Sequence, residues 1–323
     1  MLNAAIVGLG WWGKNIVNSV QGRSDRLRFI RGVSKEPAEV QAFTAQHGIE
    51  LSSELDNVLQ DARVEAVVLA TPHSLHADQI VAVARAGKPV FCEKPLCLNK
   101  ADAVRATDAC RQAGVVLGVG HNKRFWPSNR ELKNIVASGE LGEILHIEGH
   151  YSNENSGAHY SSWRGLPTES PGGGMTGTGL HILDSFANLM GPASFVHARV
   201  VTRKPAPDPH DTVSVLFEFK NRVTGMLGAV RASPFYWRVH VFGRQGSAEA
   251  LGENDLVVRR AGGKVDARTF EPVDSLRAEF DAFADAITGR AEYPFTLEQM
   301  VNTVASFEAV VKSIDTNKAV ELS

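Results

Sequence analysis

From residue 2 to about residue 120, short apolar runs alternate with segments of helical periodicity, the pattern of repeated strand–helix–strand units that closes a parallel sheet. The apolar runs predict strands at residues 4–7, 28–33, 66–70, 89–91 and 115–119, with helices at 11–20, 38–47, 74–86 and 100–113 between them. Beyond Asn122 the texture changes. Longer alternating segments at 212–219, 223–230 and 238–242 are separated by turn signals, as in an antiparallel sheet, and helical periodicity returns at 128–137, 178–190, 275–288 and 297–314. This half reads as an α+β domain on a large, mainly antiparallel sheet. The division predicted is residues 1–122 and 123–323, with a carboxy-terminal helix returning toward the first domain. A polar stretch at 151–174 is long enough to read as a lid or binding loop.

Length agrees with two domains, since 323 residues suit two sizeable cores. The net charge of -2 and the absence of any basic run give no electrostatic case for nucleic acid. No apolar stretch approaches the ~20 residues needed to cross a bilayer, and Met1 leads straight into the first strand, so a cytoplasmic protein without a membrane partner is expected. Cys92, Cys97 and Cys110 lack histidine partners at ligand spacing and read as buried, reduced thiols. His146, His150, His197 and His210 show no ligand-like grouping, and no metal site is expected.

The first strand breaks into Gly8-Leu9-Gly10-Trp11-Trp12-Gly13 and then a helix. In that context Gly8 permits the tight turn, Gly10 admits a pyrophosphate, and Gly13 allows close packing of helix and strand. Trp11 and Trp12 fill the variable positions of this turn. The reading is a doubly wound Rossmann domain that binds a dinucleotide. At the end of the second strand stand Ser34 and Lys35, a hydroxyl beside a cation, which suits a 2'-phosphate and places NADP(H) ahead of NAD(H). Arg31 is a candidate helper, and Glu36 reaching the ribose is the competing reading. Thr71-Pro72-His73-Ser74-Leu75-His76 follows the next central strand. It should line the cofactor, with Ser74 capping the helix and either histidine approaching the ligand or bonding at the helix start.

Phe91-Cys92-Glu93-Lys94-Pro95-Leu96, taken with the glycine turn, Thr71-Pro72, Trp163-Arg164 and the run from Gly172-Gly173-Gly174 through His181-Ile182-Leu183-Asp184, resembles the Gfo/Idh/MocA oxidoreductase family nearly end to end. The resemblance implies that Lys94 reaches the substrate oxygen, that Pro95 holds it in a fixed, often cis, geometry, and that Glu93 lines the cofactor. It further implies that Asn122 lies near nicotinamide or substrate and that His181 meets the substrate oxygen. Its Asp-x-Gly-x-His-x-x-Asp pattern is matched at Gly179, His181 and Asp184, but Gly177 replaces the first aspartate. Either Lys94 and His181 suffice, or Asp184 or a group from the 151–174 loop substitutes, or redox catalysis is weakened.

Independently of the resemblance, hydride exchange at a carbinol carbon needs a proton to leave or join the oxygen, and a lysine near a nicotinamide cation suits that exchange. Asp184 shares a helix face with His181, where it can orient the imidazole or serve packing. The loop offers Tyr151, Asn153, Asn155, His159, Tyr160, Trp163 and Arg164; Arg164 either clamps a carboxylate or anchors the loop with Trp163. His121, beside Asn122, is equally well explained as a strand-end structural residue, and Phe235 to His240 read as sheet packing or a subunit contact.

The function read from the chain is an NAD(P)-dependent dehydrogenase or reductase acting on a secondary alcohol or ketone of a small polyhydroxylated or cyclic substrate, such as a sugar, inositol or dihydrodiol. Alternatives are a non-catalytic dinucleotide sensor and an NAD-recycling lyase or glycosidase. The broad second sheet needs cover, which predicts a homodimer or homotetramer.

Overall fold

The computed structural model describes residues 1–154, 163–203 and 211–322. In chain order the first elements are β1 (Leu2–Val7), α1 (Trp11–Val20), β2 (Leu27–Val33), α2 (Pro37–Gln46), β3 (Glu50–Ser52), α3 (Leu55–Leu59), β4 (Ala66–Leu69), α4 (His76–Arg85), β5 (Val90–Glu93), α5 (Lys100–Ala113) and β6 (Leu117–Gly120). There follow α6 (Pro127–Ala137), β7 (Ile144–Ser152), α7 (Leu180–Met190), β8 (Ala193–Val201), β9 (Thr212–Phe219), β10 (Thr224–Val230) and β11 (Tyr236–Gly243). The last are β12 (Gly246–Leu251), β13 (Asp255–Arg260), β14 (Val265–Thr269), α8 (Ser275–Ile287), α9 (Leu297–Thr316) and β15 (Val320–Glu321).

The chain divides into two compact units, one of Met1–Cys97, Ala101–Asn122 and Asp274–Met300, the other of Leu98–Lys100, Lys123–Val273 and Val301–Ser323. In the first, six parallel strands lie in the order β3-β2-β1-β4-β5-β6. β1 and β4 are buried along almost their whole length, as strands covered on both faces must be. The order reverses between β1 and β4, and the crevice at that reversal is where such sheets bind ligands.

Helix α8 belongs to this unit although it lies far along the chain. Its amphipathic face carries Phe280 and Phe283, whose rings lie 4.4 and 5.5 Å from that of Phe91. Asp274 caps the helix by accepting the Arg277 N–H and also accepts the Ser19 hydroxyl. Gly118 of β6 makes room for this packing, because a Cβ there would stand 2.6 Å from the Phe91 ring.

The second unit is built on nine strands in the order β14-β13-β12-β11-β7-β10-β9-β8-β15, antiparallel except for the β7–β10 pair. β9 alternates strictly between buried and exposed positions, the mark of a sheet with one covered face. Gly149 lets α7 lie close on β7, since a Cβ there would meet the Phe186 ring at 2.9 Å. Among the described residues no helix is long and apolar enough to cross a membrane.

Tyr151 and Ser152, expected at the start of a loop, instead close strand β7. Ser74 does not cap α4: it lies inside a 3₁₀ turn, His73–Leu75, that leads into the helix, and the N-cap position falls to Leu75.

Candidate active site

Three glycines carry the turn after β1, for different reasons. Gly8 has a φ of 94°, and a Cβ there would stand 2.5 Å from the Ala70 carbonyl oxygen, so only glycine fits between β1 and β4. Gly13 is equally constrained, by the backbone of Gly8. Gly10 is not: nothing lies within 4 Å of where its Cβ would be. The open space faces the start of α1, which has no side-chain cap and no acidic residue in its first turn. An uncapped, positive helix end beside a gap is what a dinucleotide diphosphate requires, and the residues fit that group. Trp11, at 51% exposure, stands on the same turn with its ring 5.3 Å from that of Trp12.

At the end of β2, Lys35 and Glu36 are exposed, and the Ser34 hydroxyl accepts the Glu36 N–H at 3.2 Å. Arg31 does not join them, because its guanidinium is paired with Glu50 at 3.2 Å and Asp61 at 3.4 Å. Beyond β4, Thr71 and Pro72 are half-buried, and the Thr71 hydroxyl donates to Gln79 at 2.6 Å. His73 is buried at the rim of the turn. His76 lies wholly inside, its Nδ1 2.8 Å from the Pro95 carbonyl oxygen and its Nε2 3.1 Å from that of Thr71, which takes it away from any cofactor surface.

Strand β5 delivers Glu93, Lys94 and Pro95 at the carboxyl edge of the parallel sheet. Glu93 and Pro95 are buried while Lys94 between them is half-buried, and the Lys94–Pro95 peptide is cis. The Glu93 carboxylate accepts the Lys94 N–H at 3.2 Å and lies against Gly120 of the neighbouring strand. After β6, His121 is buried with its ring stacked 6.4 Å from Phe295, and Asn122 donates its amide to the Ser275 hydroxyl at 3.0 Å. Lys94 thus stands at the carboxyl edge of the sheet between two buried neighbours.

In the second unit the glycine run passes into a π-helical turn, Met175–Gly179, before α7. Such wide turns recur at functional sites. Thr178 returns its hydroxyl to the Gly174 carbonyl at 2.8 Å, and Gly179 is needed because a Cβ would strike the Met175 sulfur at 2.5 Å. His181 follows, 8% exposed, with its ring edge-on to Tyr151 at 6.0 Å between centroids. Burial pushes the Tyr151 phenol above its ordinary value, against a smaller opposing effect of the Asn153 amide that donates to it. Tyr151 thus stays protonated at neutral pH.

The Asp184 carboxylate is engaged by Arg124. Arg124 grips it through Nε at 2.8 Å and Nη2 at 2.7 Å, both side chains nearly inaccessible, so this is a buried two-pronged ion pair. Arg164 lies with its guanidinium 4.3 Å over the ring of its neighbour Trp163. Asn155, His159, Tyr160 and His210 lie outside the described residues.

Lys123, Arg124 and Trp126 were not singled out from the sequence, and Trp237 was read only as sheet packing or a subunit contact. The Lys123 ammonium is buried over three rings, 3.8 Å from the centroid of Trp126, 4.8 Å from Tyr151 and 5.3 Å from Trp237. The only signal in the chain was two adjacent cations entering an apolar run, Lys123-Arg124-Phe125-Trp126. All three cysteines are buried and free, and no metal-holding cluster occurs among the described residues.

A diphosphate-binding turn, a half-buried lysine at the carboxyl edge of the same parallel sheet, and a histidine helix on a broad antiparallel sheet define a nicotinamide-dependent oxidoreductase of two-domain build. Residues 2–121 match the family described as "Oxidoreductase family, NAD-binding Rossmann fold", and residues 129–249 match "GFO/IDH/MocA C-terminal domain". The chain belongs to the Gfo/Idh/MocA oxidoreductase family. It is 30% identical over 262 residues to scyllo-inositol 2-dehydrogenase (NAD(+)) of Bacillus subtilis, covering 76% of this chain and 72% of that protein. To D-xylose 1-dehydrogenase (NADP(+)) 2 of Haloferax volcanii it is 27% identical over 319 residues, with 96% of each chain covered. The fold is shared with scyllo-inositol dehydrogenase from Lactobacillus casei, solved with bound NAD(H) and scyllo-inositol, at a TM-score of 0.85, 22% identity and 99% coverage of both chains.

Proposed function

We propose that the protein is an NADP(H)-preferring dehydrogenase or reductase that works on a secondary alcohol or ketone of a small polyhydroxylated or cyclic molecule. The observation that carries this reading is Lys94, half-buried between buried Glu93 and Pro95 on a sheet whose glycine turn is shaped for a dinucleotide. Bound nicotinamide supplies the hydride acceptor or donor. Lys94 takes the hydroxyl proton as the carbinol is oxidised and returns it in the reverse direction. His181 assists at the substrate oxygen, and protonated Tyr151 beside it offers a hydroxyl donor. With Gly177 at the position of the family aspartate and Asp184 held by Arg124, proton handling rests on Lys94 and His181. The preference for the 2'-phosphate rests on exposed Lys35 beside Ser34; the two relatives' names point one to NAD(+) and one to NADP(+).

The same reading includes self-association through the open face of the nine-stranded sheet, where Leu145, Leu216, Met226 and Tyr236 are each more than 40% exposed.

The test is turnover with NADP+ and a panel of polyols, inositols, sugars and dihydrodiols, for wild type and Lys94→Ala. The variant is expected to lose at least about a hundredfold in kcat while binding NADPH within a few-fold of wild type. Nucleotide binding without turnover across the panel would replace this reading with a cofactor sensor.

A further inference from the structure

A cleft of about 290 Å³ opens within the second unit between α9 and the strand pair β8–β15, and neither His181 nor Tyr151 lines it. Its floor is one face of α9, where Asn302, Ala305, Ser306 and Ala309 recur at helical spacing and the two alanines keep the floor low. The opposite wall runs from Pro192 and Ala193 to Val320 and Glu321. Main-chain bonds hold that wall: Val320 pairs with Val196, the Leu322 N–H donates to the Ser194 carbonyl at 2.8 Å, and the Lys220 N–H donates to the Pro192 carbonyl at 3.0 Å.

Three lysines reach the cleft from separate elements, Lys100 from the start of α5, Lys220 from the turn after β9 and Lys312 from the last turns of α9. Among the described residues none of their ammonium groups has an ion-pair or hydrogen-bond partner. Glu308 and Glu321 line it too, so positive charge exceeds negative by one. The Glu308 carboxylate accepts the Lys100 N–H at 3.0 Å through Oε2, which fixes it and leaves its other oxygen to accept. Ser306 separates this cleft from an ordinary solvated face. It is 7% exposed, yet its hydroxyl has no partner among the described residues, whereas Ser313 and Thr316 of the same helix each return theirs to a main-chain carbonyl at 2.6 Å. A buried hydroxyl left unmade is costly, and one that lines a cleft is satisfied by what enters it.

We infer that the cleft binds a small polyhydroxylated phosphate monoester, with its phosphate among Lys100, Lys220 and Lys312 and its hydroxyls on Ser306, Asn302 and Glu308. Lysine ammonium groups bind phosphate as point charges with three donors each. A carboxylate only accepts, so Glu308 calls for a ligand hydroxyl and disfavours a bare anion. The volume is at the lower end of clefts that take small molecules. Binding there is independent of the chemistry at Lys94.

Calorimetric titration of the whole protein with D-glucose 6-phosphate and myo-inositol 1-phosphate, beside inorganic phosphate and D-glucose, tests this. At least one of the two esters is expected to bind once per chain with a Kd near or below about 1 mM, at least about tenfold tighter than inorganic phosphate or glucose. Replacing two exposed lysines together, Lys220→Met with Lys312→Met, should weaken the ester at least about tenfold while leaving the melting temperature of the ligand-free protein unchanged. Ser306→Ala should weaken it a few-fold. An ester that binds the double variant as tightly as wild type is seated elsewhere and overturns the inference, as does the absence of saturable binding by either ester. Inorganic phosphate that binds as tightly as the esters overturns the hydroxyl contacts given to Ser306, Asn302 and Glu308.

Discussion

Glu93 has almost no room. Its carboxylate accepts the Lys94 N–H, and on its other side a Cβ at Gly120 would stand 2.6 to 2.8 Å from three of its atoms. Gly120→Ala therefore forces the carboxylate off that N–H. The expected result is a stability loss of about 1–3 kcal/mol, with a larger fractional loss in kcat than in melting temperature, read by parallel rate and denaturation measurements. At the end of β2, Ser34→Asp places an anion where the 2'-phosphate is expected. NADPH affinity should fall by at least about tenfold while NADH affinity is held or improved; an unchanged ratio of the two affinities contradicts the role given to Ser34 and Lys35. Residues of this kind were legible in the chain because glycine spacing and Glu-Lys-Pro are local patterns. The Lys123 cage was not legible, since its rings come from positions 126, 151 and 237, which only the folded sheet assembles.

At the scale of elements, the buried Arg124–Asp184 pair ties α7 to the segment before α6. Asp184→Asn breaks this buried two-pronged pair, a loss of about 3–5 kcal/mol measurable by denaturant unfolding; a loss under about 1 kcal/mol would mean that the pair behaves as a surface bridge. A same-face pair at i and i+3 was readable from sequence, but its partner lies sixty positions away and leaves no periodic trace. The central strands β1, β4 and β5 were read because they are continuous apolar runs, and β9 and β10 because they alternate. β3, β7, β8 and β12 to β15 were missed. β3 is only three residues long, and β14, Val-Asp-Ala-Arg-Thr, buries no residue, so neither carries the apolar signature on which reading a strand depends. Helix α8 was read as a helix, but its amphipathic pattern does not say which core its phenylalanines will join.

For the whole molecule, buried neutral groups set the pH range. Burial, the largest influence, holds His150 and His240 below the ordinary histidine value of 6.5. The unfolded chain takes up protons there that the folded one refuses, so the stability present above about pH 6.5 falls as pH drops through that value. Cys97 and Cys110 lie in the opposite direction, pushed by burial from 9.0 to about 12, so their contribution is whole below pH 9.0 and is lost as pH rises toward about 12. Melting temperature should therefore decline on both flanks, and the thiols should react with a thiol reagent at mildly alkaline pH only after denaturation. His150 and His240 belong to the nine-stranded sheet proposed to join a second copy, so sedimentation across the same pH range shows whether association weakens with acidification.

Lys94 is the proposed proton-handling group of a nicotinamide-linked oxidation. Its most direct test is the pH dependence of NADPH production by wild type and Lys94→Ala, on the first substrate of the panel that wild type oxidises, with NADPH binding measured for both. Turnover that rises with deprotonation of one group in wild type and disappears in a Lys94→Ala enzyme that still binds NADPH is the predicted result. A Lys94→Ala enzyme that keeps the rate and the pH profile of wild type contradicts the account.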